Sequence, residues 1–354
     1  MSSLFDPLTL GGVTLKNRIA VSPMCQYSSV EGHPTPWHMV HLGSRAVGGA
    51  GLVFTEASAV EARGRISPDD SGIWLDSQAE GWAPIARFIK EQGSVPGMQL
   101  AHAGRKASTA SPWEGGKGLE PGKRGWRPVL APSAIAFDEG YVKPEAMSIA
   151  EIDAVVVAFT DAAKRAMHAG FEVLEIHGAH GYLLHEFLSP LSNRREDEYG
   201  GSLENRMRFL HRVADALRAV MPEKMPLVLR ISATDWTEGG WDLEQSCALA
   251  ESLKGKGVSL IDVSSGGAVP NAKIPVGPGF QTPFAAEIRR RTGIATGTVG
   301  MIIAPEQADH VVRTGQADMV LLAREMLRDP YWPRRAAKEL GVKIEAPKQY
   351  GRAW

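Results

Sequence analysis

The feature that most constrains this chain is an alternation, repeated eight times, of a short apolar run with a longer stretch of helical period. Such alternation marks successive βα units with parallel strands, because each helical crossover returns the chain to the same end of the sheet. The apolar runs predict strands at Ile19–Met24, Gly51–Glu56, Val95–His102, Val173–His177, Leu227–Ser232, Leu260–Ser264, Ala295–Val299 and Met319–Ala323. The helical stretches fall at Trp37–Val47, Ala79–Gln92, Ile149–Ala169, Leu203–Val220, Leu243–Lys254, Pro283–Arg291, Pro305–Arg313 and Trp332–Leu340. Eight of each predicts an α/β fold, a single (β/α)8 TIM barrel, and barrels of this kind reach 354 residues as one domain, here 1–354. Boundary residues agree with that reading. Ser148 and Ser202 are N-cap candidates, Ser148 forms a capping box with Glu151, and Gly93, Gly170 and Gly293 stand where helices stop.

Three segments fall outside the repeat. Leu8 to Leu15 reads as a β-hairpin turning at Gly11-Gly12 and is expected to cap the barrel floor. The region 105–147, rich in Gly, Pro and Trp, leaves the third strand as a long loop, and loops of that length serve as lids or binding loops. It has too little apolar periodicity for a second core. The tail 345–354 lacks a helical pattern yet ends Tyr350-Gly351-Arg352-Ala353-Trp354, aromatic enough that docking is expected. An apolar share of 44% and a net charge of -1 give no electrostatic case for nucleic acid or an anionic membrane. The N-terminal residues have neither a basic region nor a continuous apolar stretch, so a cytoplasmic location is expected. The two cysteines, Cys25 and Cys247, argue against a disulfide scaffold, a zinc site or an iron–sulfur cluster, and Cys247 is expected to pack as a small hydrophobe.

Barrel enzymes collect their chemistry at the C-terminal ends of the strands. There, His177-Gly178-Ala179-His180-Gly181-Tyr182 follows the fourth strand and groups two imidazoles with a phenol. Two ring N–H donors suit a carbonyl oxygen that gains negative charge, and a phenol suits proton delivery to the adjoining carbon. Two other readings stay open: satisfied structural histidines, or a metal pair in a metal-dependent barrel hydrolase using His177 and His180, which lacks an obvious third ligand. Small residues at Gly300 and Ala323 with Arg324, after strands seven and eight, match the common phosphate position of such barrels. Arg230 and Gln99 sit on apolar strands and need partners: the pyrimidine edge of an isoalloxazine ring, or Glu56 or Asp262 for Arg230 and nearby backbone for Gln99. His38 and His41 are expected to be surface or capping groups, and Trp236 and Trp241 either shape the pocket rim or pack.

Long motifs in the right order are more specific. Ser22-Pro23-Met24-Cys25-Gln26-Tyr27, the run Gln99 to Lys106, the run His177 to Pro190 and the run Tyr199 to Arg206 together resemble the old yellow enzymes, flavin mononucleotide (FMN) ene-reductases on a TIM barrel, across nearly the whole chain. Cys25 and His180 resemble the thermophilic-like branch, which also includes xenobiotic reductases. The resemblance implies FMN contacts at Ser22, Pro23, Met24, Cys25, Ala57, Gln99 and Arg230, with Gly300, Ala323 and Arg324 at the phosphate. Ala323 departs from the glycine often found before that arginine. His177, His180 and Tyr27 would hold the substrate, and Tyr182 would donate the proton. Arg352 resembles an arginine that enters the neighbouring subunit's active site, implying a homodimer or homotetramer. The implied reaction takes hydride from NADPH or NADH and reduces activated C=C bonds of α,β-unsaturated carbonyl compounds, with nitro and other xenobiotic compounds as further substrates. A flavin-binding protein without turnover is the rival that Tyr182 disfavours.

Overall fold

A computed structural model describes residues 3–353. Eight parallel strands form a closed barrel: β1 (Ile19–Val21), β2 (Leu52–Ala59), β3 (Val95–Ala101), β4 (Val173–Gly178), β5 (Leu227–Ser232), β6 (Val258–Ser264), β7 (Ala295–Thr298) and β8 (Met319–Leu322). Each pairs with its neighbours in chain order, and β8 meets β1 through Val320↔Ile19, Leu321↔Ala20 and Leu322↔Val21, which closes the ring. The helices are α1 (Pro36–Val47), α2 (Asp76–Glu91), α3 (Ile149–His168), α4 (Leu203–Val220), α5 (Leu243–Lys254), α6 (Thr282–Thr292), α7 (Pro305–Arg313) and α8 (Trp332–Glu339). The alternation in the sequence is therefore the observed architecture.

Helix boundaries follow the local chemistry. The Ser148 hydroxyl accepts from the Glu151 N–H, and the Glu151 carboxylate accepts from the Ser148 N–H, a reciprocal cap for α3. Ser202 caps α4 in the same way through Asn205 N–H. Strand ends differ from expectation where the chain turns toward the mouth. β1 stops at Val21, so Ser22–Met24 lie beyond the sheet, although Ser22 N–H still donates to Leu322 O. β2 runs on to Ala59 through a shift in register between Phe54 and Ala57. Two short helices, Leu183–Leu188 and Arg324–Arg328, follow β4 and β8 directly and are too short to show a 3.6-residue period in sequence. Within 105–147, two strand pieces, Leu130–Ala131 and Glu145–Ala146, pair in parallel.

The barrel interior is layered because alternate residues of a strand face inward. Ala20, Leu52, Val95, Val173, Val228, Leu260 and Leu321 fill its lower level. The antiparallel hairpin Leu8–Leu10 and Val13–Leu15 adds Leu8, Leu10 and Leu15 to that same cluster, closing the floor as expected. Outside the strands, a larger apolar shell that includes Trp82, Phe159, Phe209 and Trp332 joins them to the helices.

The sequence leads His38 and His41 to be expected as surface or capping groups, and neither is at the surface. His38 is 1% exposed, with Nε2 2.7 Å from Glu56 Oε1, while its Nδ1 accepts from Thr35 N–H at the start of α1, so it caps from inside the protein. His41 is also buried, and burial pulls its pKa down to about 3. Trp241 packs in the core and donates to Ser246 Oγ, rather than lining the pocket rim, and Cys247 packs on the buried face of α5. The tail docks on the body: Arg334 Nη1 donates to Glu345 O, and the rings of Tyr331 and Tyr350 lie 6.3 Å apart. Trp354, the last residue of the predicted tail, lies outside the described residues.

Leu15 is fully buried under the barrel, so Leu15→Ala should leave a cavity and cost about 2–5 kcal/mol. The denaturant midpoint should fall while the flavin absorption of the native protein stays as it was; an unchanged midpoint would show that the hairpin does not support the floor.

Candidate active site

Moving up each strand by two residues leads from the apolar floor to the mouth. On β4 the inward residues are Val173, Glu175 and His177; on β5, Val228, Arg230 and Ser232; on β6, Leu260, Asp262 and Ser264. Lateral pairing sets Gln99 beside Glu175, His177 beside Arg230, and Arg230 beside Asp262. An apolar base, a charged middle level and a polar mouth thus follow from period-two alternation combined with register.

At the mouth, the ring of His177 lies 5.3 Å from that of His180 and 5.0 Å from that of Tyr182, both edge-on. The backbone fixes this grouping. His180 adopts φ 58, held by its N–H donating to Ser232 Oγ and its carbonyl accepting from Lys106 Nζ. A non-glycine residue in this region stores strain that the surrounding bonds must hold. Gly181 has φ 69, and a Cβ there would stand 2.1 Å from Gly267 O, so only glycine lets the loops after β4 and β6 approach so closely.

Protonation states follow from the contacts. Ala179 N–H donates to His177 Nδ1, which places the ring proton on Nε2. His180 Nε2 lies 2.7 Å from Ser264 Oγ, shorter than the 3.3 Å from that hydroxyl to Gln281 Oε1. Ser264 Oγ thus joins His180 Nε2 to Gln281 Oε1, and the way that hydroxyl turns sets which ring nitrogen of His180 carries the proton. Burial, followed by the charge of Arg230, holds both imidazoles well below the usual histidine range, so both are neutral donors. Burial also raises the Tyr182 phenol well above its ordinary value and keeps it protonated.

A cavity of about 500 Å³ opens beside these rings and is lined by Ser22, Pro23, His180, Arg230, Gly300, Ala323 and Arg324, among others. Arg324 is exposed and makes no hydrogen bond or ion pair with the described residues. Gly300 has φ 127, and a Cβ there would meet Gln281 Nε2 at 2.8 Å and Phe280 Cε1 at 2.9 Å. Met24 and Cys25 are partly exposed on the adjoining segment, which is fixed where Gln26 N–H donates to Glu56 Oε2. Ala57, at the register shift of β2, shares a narrow cleft with His177 and Tyr182. A separate pocket of about 430 Å³ contains Tyr27, Tyr182, Lys106 and Phe137 and is walled by the 105–147 segment.

Comparison with known proteins decides the family. The model of the NADH:flavin oxidoreductase / NADH oxidase family matches residues 3–342. This chain belongs to that family. It is 51% identical over 353 residues to an NADPH dehydrogenase of Geobacillus sp. (strain WCH70), covering 99% of this chain and 98% of the relative. It is 50% identical over 353 residues to an NADPH dehydrogenase of Bacillus subtilis (strain 168), covering 99% of each. The structure of morphinone reductase in complex with tetrahydroNAD aligns with TM-score 0.79 and 27% identity over 99% of this chain and 94% of that one. The chain is thus a flavin oxidoreductase of old yellow enzyme type that uses FMN.

The residues present fit FMN. The open backbone at Gly300 and the unpaired Arg324 suit a phosphate, and Arg230 and Gln99 supply polar groups beside the same cavity. Arg230 meets one of its expected partners, with Nε 3.1 Å from Asp262 Oδ2, and its Nη2 also donates to Ser22 Oγ. Gln99 Nε2 donates to Glu175 Oε1 at 2.7 Å rather than to backbone. Arg352 is exposed, stands outside the cavity and has no partner among the described residues. His102 is committed to Glu61, and no group of three His, Cys, Asp or Glu side chains among the described residues is arranged to hold a metal.

Sequence reasoning missed Lys106, Ser264 and Glu175 as parts of the site. Lys106 donates to the carbonyls of His180 and Gly267, and its ammonium stands 5.3 Å from the Tyr182 ring; burial lowers its pKa to about 7. Ser264 and Glu175 could have been found by counting two residues along their strands from groups already singled out.

Arg324→Ala should weaken FMN binding about 10- to 100-fold, the loss of one or two charge-assisted hydrogen bonds. Fluorescence titration of the flavin-free protein measures this, and an unchanged Kd would remove Arg324 from the phosphate site.

Proposed function

We propose that this chain oxidises NADPH and reduces the C=C bond of α,β-unsaturated carbonyl compounds, with His177, His180 and Tyr182 acting on the substrate. The observation that carries this reading is the mutual packing of two neutral imidazoles and a protonated phenol at the edge of the FMN-compatible cavity. FMN, when bound, supplies the hydride that reaches the β-carbon. His177 Nε2–H donates to the carbonyl oxygen as charge accumulates there, joined by the His180 ring when Ser264 donates to its Nε2, and by analogy with oxyanion holes each donor is worth about 3 kcal/mol. Tyr182 gives its proton to the α-carbon, a step that positioned acids accelerate roughly 10²–10⁴-fold. The ammonium of Lys106 lies close enough to the ring to favour the phenolate left behind. Tyr27 closes the substrate pocket with its ring 5.6 Å from that of Trp113.

The remaining assignments follow the same reading. Ser22, Pro23, Met24, Cys25 and Ala57 line the flavin, and Cys25, whose thiol burial keeps protonated, sits beside it as a neutral group. The chain works as a single unit, with 105–147 over the substrate and the tail at an interface between subunits. There the exposed Arg352 reaches the mouth of a second copy. No helix among the described residues is long and apolar enough to cross a membrane.

Tyr182→Phe should slow the reaction of reduced enzyme with cyclohexenone by 10²–10⁴-fold while leaving reduction by NADPH within a few-fold of normal. Stopped-flow kinetics separates the two halves, and equal loss in both would defeat the proton-donor role. Because the two imidazoles are already neutral, the Kd of a neutral carbonyl ligand should stay flat as pH passes the value near 6.5 where an ordinary histidine titrates. A tenfold change centred there, followed in the flavin spectrum and lost in His177→Gln or His180→Gln, would mean that an imidazole titrates in the site; one that survives both substitutions belongs to Lys106, whose pKa burial lowers to about 7.

A further inference from the structure

Under the mouth, the charged level holds a combination that does not balance if every group is ionised. Glu175 and Asp262 are both fully buried, and one guanidinium, that of Arg230, is set against them. Its Nε lies 3.1 Å from Asp262 Oδ2, and its Nη2 is committed to Ser22 Oγ. Glu175 Oε1 accepts from Gln99 Nε2, but Glu175 Oε2 and Asp262 Oδ1 take no hydrogen bond from any other described group. The two carboxyl groups lie within hydrogen-bonding reach of each other. Two bare carboxylates in that position would be acceptors facing acceptors in a medium that penalises each charge.

We propose that Glu175 is a neutral acid whose proton bonds to Asp262, which leaves the buried cluster with no net charge while Glu175 still accepts from Gln99. The inference rests on the FMN reading of the adjacent cavity. Arg230 stands against Asp262, so Asp262 keeps the negative charge and Glu175 takes the proton. Burial raises both groups above the ordinary carboxylate range, and Arg230 pulls against that rise in each. With its proton spent on Asp262, Glu175 has only its carbonyl oxygen to offer Gln99, and a carbonyl oxygen calls for a donor. The Gln99 amide must therefore turn its N–H₂ toward Glu175. Its Oε1 receives no hydrogen bond from the described residues and is left to accept one. The pyrimidine edge of a flavin carries one N–H between two carbonyls, and an acceptor selects that N–H. Glu175 is thus a positioning residue: it acts on the cofactor through the orientation of Gln99 and through the single uncompensated proton that keeps Arg230 and Asp262 a balanced pair.

The charge assignment separates two isosteric variants. Glu175→Gln reproduces the neutral acid atom for atom, accepting from Gln99 and donating to Asp262. Asp262→Asn instead removes the charge that balances Arg230. In the FMN-loaded protein, sulfite addition to the flavin reads the nearby charge without catalytic turnover. Glu175→Gln should keep the sulfite Kd and the visible spectrum within about twofold of wild type, whereas Asp262→Asn should tighten sulfite binding roughly tenfold. If Glu175→Gln tightens it as much as Asp262→Asn does, Glu175 is ionised and the proposal falls. Should either variant fail to fold, infrared spectra of wild-type protein labelled with ¹³C-glutamate decide the matter. They are taken well above pH 8, at about pH 10, since burial raises another buried glutamate, Glu186, to about 8. A labelled carboxylic-acid band supports the neutral Glu175, and its absence overturns it. A protein that never takes up FMN would defeat the cofactor assignment instead, and the infrared band would still settle the proton.

Discussion

Closure of the sheet is the constraint from which the rest of this molecule follows. Once Leu321 pairs with Ala20, no strand has a free edge, and every second side chain is committed to an interior of fixed width. That interior cannot be apolar at every level if it is to do chemistry, nor polar at every level if it is to hold together. The chain resolves this by height. Valine, leucine and alanine fill the level next to the hairpin, Gln99, Glu175, Arg230 and Asp262 occupy the middle, and imidazole, hydroxyl and phenol groups stand at the open end.

The cost of that arrangement is carried by burial. Ionisable groups are held neutral at the mouth: both histidines as bases and Tyr182 as an acid, each mainly by desolvation. Neutral donors in a dry site present their dipoles already aligned, which is what the carbonyl chemistry proposed for this site requires. A second buried network supports the neighbouring wall. His38, Ser71 and Gln26 N–H converge on Glu56, which ties the segment carrying Cys25 and Tyr27 to α1 and β2.

The architecture was legible because its signal is periodic and repeats eight times, and β5 was bounded to the residue. What escaped the sequence was aperiodic. His38 read as a surface or capping residue because it lies at the start of an amphipathic helix, and only the tertiary fold shows that Glu56 waits on the buried side. The motifs named Gln99 and Arg230, and Asp262 was among the partners expected for Arg230, but the partner of Gln99 was not found, since Glu175 lies 76 residues away in sequence and meets it only across strands. Lys106 was visible as part of a motif, yet its role as a tie between two loops depends on backbone carbonyls, which no side-chain pattern encodes.

That tie bears on how the enzyme can change. Arg105 Nη2 donates to Ala268 O while Lys106 holds His180 O and Gly267 O, so the segment leaving β3 is pinned at its root to the loops after β4 and β6. Beyond the pins, the segment can be lengthened, shortened or rewritten without disturbing the backbone that aims His180. Pocket shape and bond-making chemistry are thereby inherited separately. Over generations, such a scaffold can explore new molecules by drift in one stretch of chain while its reaction stays the same.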